Sequence, residues 1–186
     1  MDKRPGRLVY VMGPSGAGKD TLLAYARARV DPQRVVFAHR YITRPADPAA
    51  ENHVVLSPAE FAAREAAGFF ALAWESHGFM YGLGTEIDLW RDCGLVVVVS
   101  GARGAWAAAS QRYPDVMGVI IEAPADVRAR RLTSRGRENA EAIRTRLKRE
   151  IIVPASDASV HRLDNSGPVA LAGDALVGLL QACEAA

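Results

Sequence analysis

Short apolar runs alternate with stretches of helical spacing along most of the 186-residue chain. The run "LVYVM" (8–12) predicts a buried strand, and the glycine-rich segment behind it leads into a helix through "TLLAYARARV". "RVVFAHRY" (34–41) predicts a second strand. "LVVVVSG" (95–101) is β-branched, uncharged and continuous, the pattern of a central parallel strand. "VMGVIIEA" (116–123) predicts another, and "SVHRLDNSG" (159–167) a weaker, last one. Helices are predicted at 102–113, 124–135, 139–152 and 168–184. Strand and helix in alternation describe an α/β fold, a parallel β-sheet flanked by helices on both faces.

Between 41 and 84 this rhythm breaks. "ITRPADPAAENH" is rich in Pro and Ala with little periodicity, and "FFALAWESHGFMYGLG" is aromatic with strand and turn character. One helix is well marked in between: Ser57 and Glu60 form a capping box, Pro58 sits in the first turn, and Gly68 stops it. Residues 41–84 are therefore expected to be an insertion riding on a core of 1–40 and 85–186, placed where a second substrate would dock. A chain of this length buries one sizeable core, so a single domain is expected.

Composition excludes more than it suggests. Apolar residues make up 49% and charged residues 24%, ordinary values for a soluble globular protein, and the formal net charge is +2. That charge is too small to indicate nucleic acid or a membrane surface as partner. Cys93 and Cys183 are the only cysteines. Two cannot build a disulfide framework or a four-thiolate zinc site, so reduced thiols and a cytoplasmic location are expected. The apolar run after the basic N-terminus is too short for a signal peptide, and none is long enough to span a membrane. A monomer or a homodimer is expected, with a small-molecule substrate.

The segment "GPSGAGKDT" (13–21) carries the chemistry. A phosphate-cradling loop has Gly, four residues, Gly, Lys and then a hydroxyl, and it lies between a strand and a helix. Gly13, Gly18 and Lys19 fall in place, in that context. Gly13, Gly16 and Gly18 let successive backbone N–H groups turn inward, and the following helix N-terminus adds positive potential. Gly13, Pro14, Ser15, Gly16, Ala17, Gly18, Lys19, Asp20 and Thr21 are thus expected to hold the phosphates of ATP, with Lys19 reaching the β- and γ-phosphates.

Asp20 stands where the hydroxyl belongs. Two like charges about 4 Å apart cost roughly 4 kcal/mol at an effective dielectric near 20, so a bare carboxylate would repel the nucleotide. With Mg²⁺ between them the sign reverses, since the ion takes hard oxygen donors. Asp20 is therefore expected to be a metal ligand, direct or through water. A helix start also favours a negative side chain, which is the simpler alternative. Phosphate-loop proteins commonly hold the same ion with an acid at the end of a neighbouring strand. Here "LVVVVSG" ends in Ser100 and Gly101, as though the carboxylate had moved into the loop.

Three further stretches resemble the guanylate kinase-like group, and together with the loop they cover nearly the whole chain in that group's order. "TRP" (43–45) with Glu51 and "SPAEF" is similar to the start of its monophosphate-binding insertion, "HGFMYG" (77–82) to the segment with its phosphate-binding tyrosine, and "RRLTSRGRENAEAIRTRL" (130–147) to its arginine-rich lid. The resemblance implies a P-loop kinase fold. It implies substrate-phosphate contacts for Arg44 and Tyr81, with His53 where another phosphate-binding tyrosine would stand. The group's second arginine after the proline has no counterpart in "ADPAA", and the acid that reads guanine aligns with Leu72. A site built to hydrogen-bond guanine would leave polar groups unpaired without that acid. "GPSGAGKDTLL", "RYITRP", "SHGFMYGL" and "VVVVSGARG" resemble instead the ribose 1,5-bisphosphate phosphokinase branch. Its members convert ribose 1,5-bisphosphate and ATP to 5-phosphoribosyl 1-diphosphate and ADP during phosphonate breakdown. A phosphorylated ribose needs cationic grips and no base reader.

Nine basic side chains cluster in the lid region: Arg128, Arg130, Arg131, Arg135, Arg137, Arg144, Arg146, Lys148 and Arg149. Arg131, Arg135 and Arg146 are expected to act with Lys19 on the transferring phosphoryl group, spreading positive charge over oxygens that become electron-rich. Arg128, Arg144 and Lys148 read as a solvated surface. The stripe Ile143, Leu147 and Ile151 argues for a packed helix rather than an RNA-binding one. Arg40 and Arg103 are added as candidate substrate-phosphate grips, the latter at the carboxyl end of a strand, where such sheets bind ligands. Trp74, Trp90 and Trp106 read as packing, and "DNSG" (164–167) as either an adenine contact or a helix cap. Nothing suggests a covalent intermediate, so direct in-line transfer is expected. Two other functions fit the fold: guanylate kinase itself, and a non-catalytic guanylate kinase-like binding module.

Overall fold

The computed structural model describes residues 5–45, 52–134 and 159–184. Two sheets form within them. The larger has five strands, all parallel: β1 (Leu8–Met12), β2 (Val35–Phe37), β7 (Val96–Ser100), β8 (Met117–Glu122) and β9 (Val160–Asp164), in the order β2-β7-β1-β8-β9. The smaller is mixed, β4-β3-β6-β5, from β3 (Arg40–Ile42), β4 (His53–Val55), β5 (Phe70–Ser76) and β6 (Phe79–Gly84).

The five-stranded sheet is buried on both faces, which is why its central strands carry apolar side chains without alternation. Leu8, Tyr10 and Met12 of β1 join Val97, Val99 and Ile120 on one face, under Ile87 of α3 (Glu86–Asp92) and Trp106 and Ala109 of α4 (Trp106–Arg112). Val9 and Val11 join Val96, Val98, Val119 and Ile121 on the other, under Leu22 and Ala26 of α1 (Lys19–Arg27). Leu176 and Leu180 of α6 (Val169–Glu184) complete that second layer and are fully buried.

Two elements differ from expectation. The strand predicted over 34–41 is two strands in different sheets. Ala38 N–H still donates to Val98 O of the core, whereas Arg40 N–H donates to Asn52 O of the insertion. One short stretch of chain therefore serves two ladders, with the break at Ala38 and His39. Helix α3 follows the insertion where no helix was expected. Its seven residues bury only Ile87, and Leu89 is 66% exposed, so its apolar spacing is too short to register.

The insertion holds together around its own aromatic layer. In α2 (Pro58–Ala66), Ser57 Oγ accepts the Glu60 N–H as expected of the cap, while the Glu60 carboxylate accepts from Arg64 Nε one turn on. Phe61 of this helix stacks on Phe70 at 4.5 Å, and Phe70 meets Tyr41 at 5.5 Å. These rings cover one face of the small sheet. From the other face, Arg40 lines a cleft together with Asp20 of the phosphate loop.

Candidate active site

The loop between β1 and α1 is shaped by contacts that leave room for no side chain. Gly16 (φ +80°) and Gly18 (φ +90°) both adopt left-handed backbone. A Cβ on Gly16 would lie 2.8 Å from Arg128 O, and one on Gly18 would lie 2.4 Å from Asn165 Nδ2. No side chain caps α1, so its first turn keeps its N–H groups for an anion. Lys19 Nζ donates to Gly13 O at 3.0 Å, which folds the lysine back over the loop mouth. Ala17 is buried, Pro14, Ser15 and Asp20 are partly exposed, and Thr21 is exposed on the helix surface.

Two residues remote in sequence hold the loop through Ala17 O. Asn165 Nδ2 donates to Ala17 O at 2.7 Å, and Arg131 Nη1 reaches the same oxygen at 3.3 Å. Arg131 Nη2 also donates to Asn165 O at 2.9 Å. Arg131 lies on α5 (Ala125–Ser134), so this helix is tied to the phosphate loop. Arg128 corrects the sequence analysis. Read as a solvated surface residue, it packs against Gly16, and its Nε is buried without a hydrogen-bond partner among the described residues. Arg135, Arg137, Arg144 and Arg146 lie outside the described residues.

Beside the loop a cleft opens between the two sheets, lined among others by Asp20, Arg27, Arg40, Asn52 and Ser100. Ser100 ends β7, where its Cα pairs with Val11 two residues before the loop begins. It is 8% exposed, and its Oγ has no hydrogen-bond partner among the described residues. Leaving such a hydroxyl unmatched costs roughly 1–3 kcal/mol, a cost a ligand would remove. Among the described residues no group of three His, Cys, Asp or Glu side chains could hold a metal. An ion at Asp20 would therefore complete its shell with phosphate oxygens and water, as Mg²⁺ commonly does. The hard oxygens of Asp20 and Ser100 fit such an ion.

Of the expected substrate residues, Arg40 lines this cleft, and two others share its face of the small sheet. Arg40 pairs with His53 across β3 and β4, and Ile42 with Tyr81 across β3 and β6. Residues two apart on a strand and directly paired across it share a face, so Arg40, His53 and Tyr81 look the same way. The Arg40 guanidinium lies 5.7 Å from the Tyr81 ring centroid, and Trp74 stacks on that ring at 5.7 Å and 7°. Arg44 is partly exposed just beyond β3, and Arg103 opens the short 3-10 turn (Arg103–Ala105) after β7. Leu72, where guanylate kinases place the base-reading acid, is 7% exposed and belongs to the hydrophobic core.

Sequence reasoning missed the side chain of Asn165 as a loop support. The "DNSG" turn had drawn notice, but nothing local points a carboxamide at an oxygen 148 residues away. Trp106 is buried in the core and Trp74 and Trp90 pack against it, as expected. Cys93 and Cys183 are free thiols, one exposed and one buried. Among the described residues, no helix is long and apolar enough to cross a membrane.

No protein-family model matches the chain. A guanylate kinase from Anaplasma phagocytophilum superposes with a TM-score of 0.69 at 18% identity, covering 98% of this chain and 88% of that one. An unliganded sugar kinase from Janibacter sp. gives 0.57 at 20% identity, covering 97% and 98%. At such identities these establish the fold alone. Sequence relatives go further. Ribose 1,5-bisphosphate phosphokinase PhnN of Desulfomicrobium baculatum is 54% identical over 175 residues, 94% of both chains. Proteins of the same name from Burkholderia mallei and Chromobacterium violaceum are 56% and 52% identical, over 94% and 97% of this chain. With more than half its residues shared along almost its whole length, the chain belongs to the ribose 1,5-bisphosphate phosphokinase family, built on a guanylate kinase-like fold.

Proposed function

We propose that this protein is a phosphotransferase that moves the γ-phosphoryl group of ATP onto the 1-phosphate of ribose 1,5-bisphosphate, forming 5-phosphoribosyl 1-diphosphate and ADP, in phosphonate degradation. The observation that carries the reading is the pairing of an intact phosphate loop with a cationic acceptor face whose base-reading position is filled by the buried Leu72. Guanine would find hydrocarbon there, whereas a sugar bisphosphate needs only grips for its two phosphates. Arg40, Arg44, His53, Tyr81 and Arg103 would supply them. The relatives named for this substrate point the same way.

In this reading the loop from Gly13 to Thr21 seats the triphosphate and Lys19 draws the γ-phosphate toward the cleft. An oxygen of the ribose 1-phosphate, already ionised near neutral pH, attacks the γ-phosphorus in line, and the bond to the ADP oxygen breaks. No strong general base is required, so rate comes from orientation and from positive charge held against the equatorial oxygens. Arg131, Arg135 and Arg146 are the proposed sources of that charge. Asp20 would hold Mg²⁺, which would supply positive charge to the triphosphate. The protein is further inferred to work in the cytoplasm, as a monomer or homodimer, without nucleic acid or membrane.

ADP release by the purified protein tests this across four conditions: ribose 1,5-bisphosphate, ribose 5-phosphate, GMP and no acceptor. Turnover is expected with the bisphosphate at more than a hundredfold over GMP. Equal or faster turnover of GMP would make the protein a guanylate kinase. Failure to bind Mg·ATP at all would make it a binding module.

A further inference from the structure

We infer that Ser100 is the strand-side partner of Asp20 in holding the divalent ion, so that the two protein donors of the phosphate-loop metal site have exchanged places in this chain. The inference rests on the phosphotransferase reading above. Phosphate-loop proteins ordinarily draw a hydroxyl from the loop and a carboxylate from the end of a neighbouring strand. Here the carboxylate of Asp20 occupies the loop position, on the first turn of α1, and β7, the strand beside β1, ends in the hydroxyl of Ser100. Both line one cleft.

Two observations separate this from coincidence of sequence. The Ser100 side chain is more than nine-tenths buried among valines, and its Oγ meets no hydrogen-bond partner among the described residues. A hydroxyl serves no packing purpose there, since alanine would fill the same space. It lines a cleft that Asp20 also lines. The exchange also conserves the count that electrostatics requires. One carboxylate and one hydroxyl give the same formal charge in either arrangement. Two carboxylates would burden a triphosphate site with a further negative charge, and two hydroxyls would hold the ion weakly.

Four variants test it: Asp20→Ser, Ser100→Asp, the double exchange, and Ser100→Ala. The readout is calorimetric affinity for ATP with Mg²⁺ and with EDTA, together with Mn²⁺ binding to the protein–ATP complex by electron paramagnetic resonance. The inference expects Mg²⁺ to raise ATP affinity at least tenfold in the unaltered protein and expects Asp20→Ser to abolish most of that gain. The double exchange should recover it to within about threefold, with the Mn²⁺ signal restored. Ser100→Ala should reduce the gain severalfold while leaving the affinity in EDTA unchanged. A double exchange that folds but behaves like Asp20→Ser, or a Ser100→Ala protein whose Mg²⁺ gain is intact, overturns the assignment. Should the exchange fail to fold, Ser100→Ala decides alone, because it removes a single buried oxygen. Loss of all ATP binding by the unaltered protein would instead overturn the phosphotransferase reading.

Discussion

Gly18 concentrates the demands of the site on one residue. Its φ of +90° lies in the left-handed region, and a Cβ there would fall 2.4 Å from Asn165 Nδ2. The carboxamide cannot retreat freely, because it is buried and donates to Ala17 O at 2.7 Å. Gly18→Ala therefore combines backbone strain of about 1–3 kcal/mol with loss of that support. The expected outcome is ATP affinity at least tenfold weaker, read by calorimetry, with a smaller fall in melting temperature. Unchanged affinity would mean that the loop reshapes on binding and that its free geometry is not the working one. Asn165 is legible only once the fold is known, whereas Gly18 announces itself through the motif.

At the scale of elements, α6 and α1 form the layer that backs the phosphate loop. Leu176 and Leu180 are fully buried against Leu22, Ala26 and the strands of that face. Leu176→Ala would remove buried methyl groups and leave a cavity, costing about 2–5 kcal/mol. Denaturant titration should show that loss, with the Michaelis constant for the sugar bisphosphate unchanged, since neither Leu176 nor any other residue of α6 lines the cleft. The amphipathic spacing of α6 made it legible in advance. By contrast, α3 was not, because Ile87 alone is buried and no periodicity can be read from one residue. The apolar run 34–41 misled for a related reason. Periodicity records burial and does not record which sheet provides it.

Across the whole molecule, the chain passes between the two sheets at Ala38–Arg40 and returns at Gly84–Glu86, and the cleft lies between them. Tyr10 anchors the core side of that junction. Its hydroxyl donates to Ala102 O at 2.9 Å, and burial holds the phenol well above its ordinary pKa. Tyr113, beside the Asp88–Arg112 pair, is pushed up to about 12, chiefly by burial, with the Asp88 hydrogen bond adding and Arg112 opposing. For both, the folded value exceeds the unfolded one near 10. Their contribution to stability is therefore complete below about pH 10 and is lost as pH rises through the folded values. Melting temperature should be level from pH 8 to 9.5 and fall by several degrees by pH 11.5. Tyr113→Phe should flatten part of that fall, and an equal fall in the variant would remove Tyr113 from the account.

The amino-acid sequence by itself determined the parallel sheet and the phosphate loop, because these are written in neighbouring residues: apolar runs and glycines at fixed offsets. The odd aspartate in the loop and the serine at the end of β7 were each visible there, but not their meeting. Only the tertiary structure set Ser100 and Asp20 on one cleft, turned Arg40, His53 and Tyr81 to one face, and brought Arg131 and Asn165 onto Ala17 from 114 and 148 residues away. Contacts of that reach follow from how buried faces close against one another, and a local pattern carries no record of its partner.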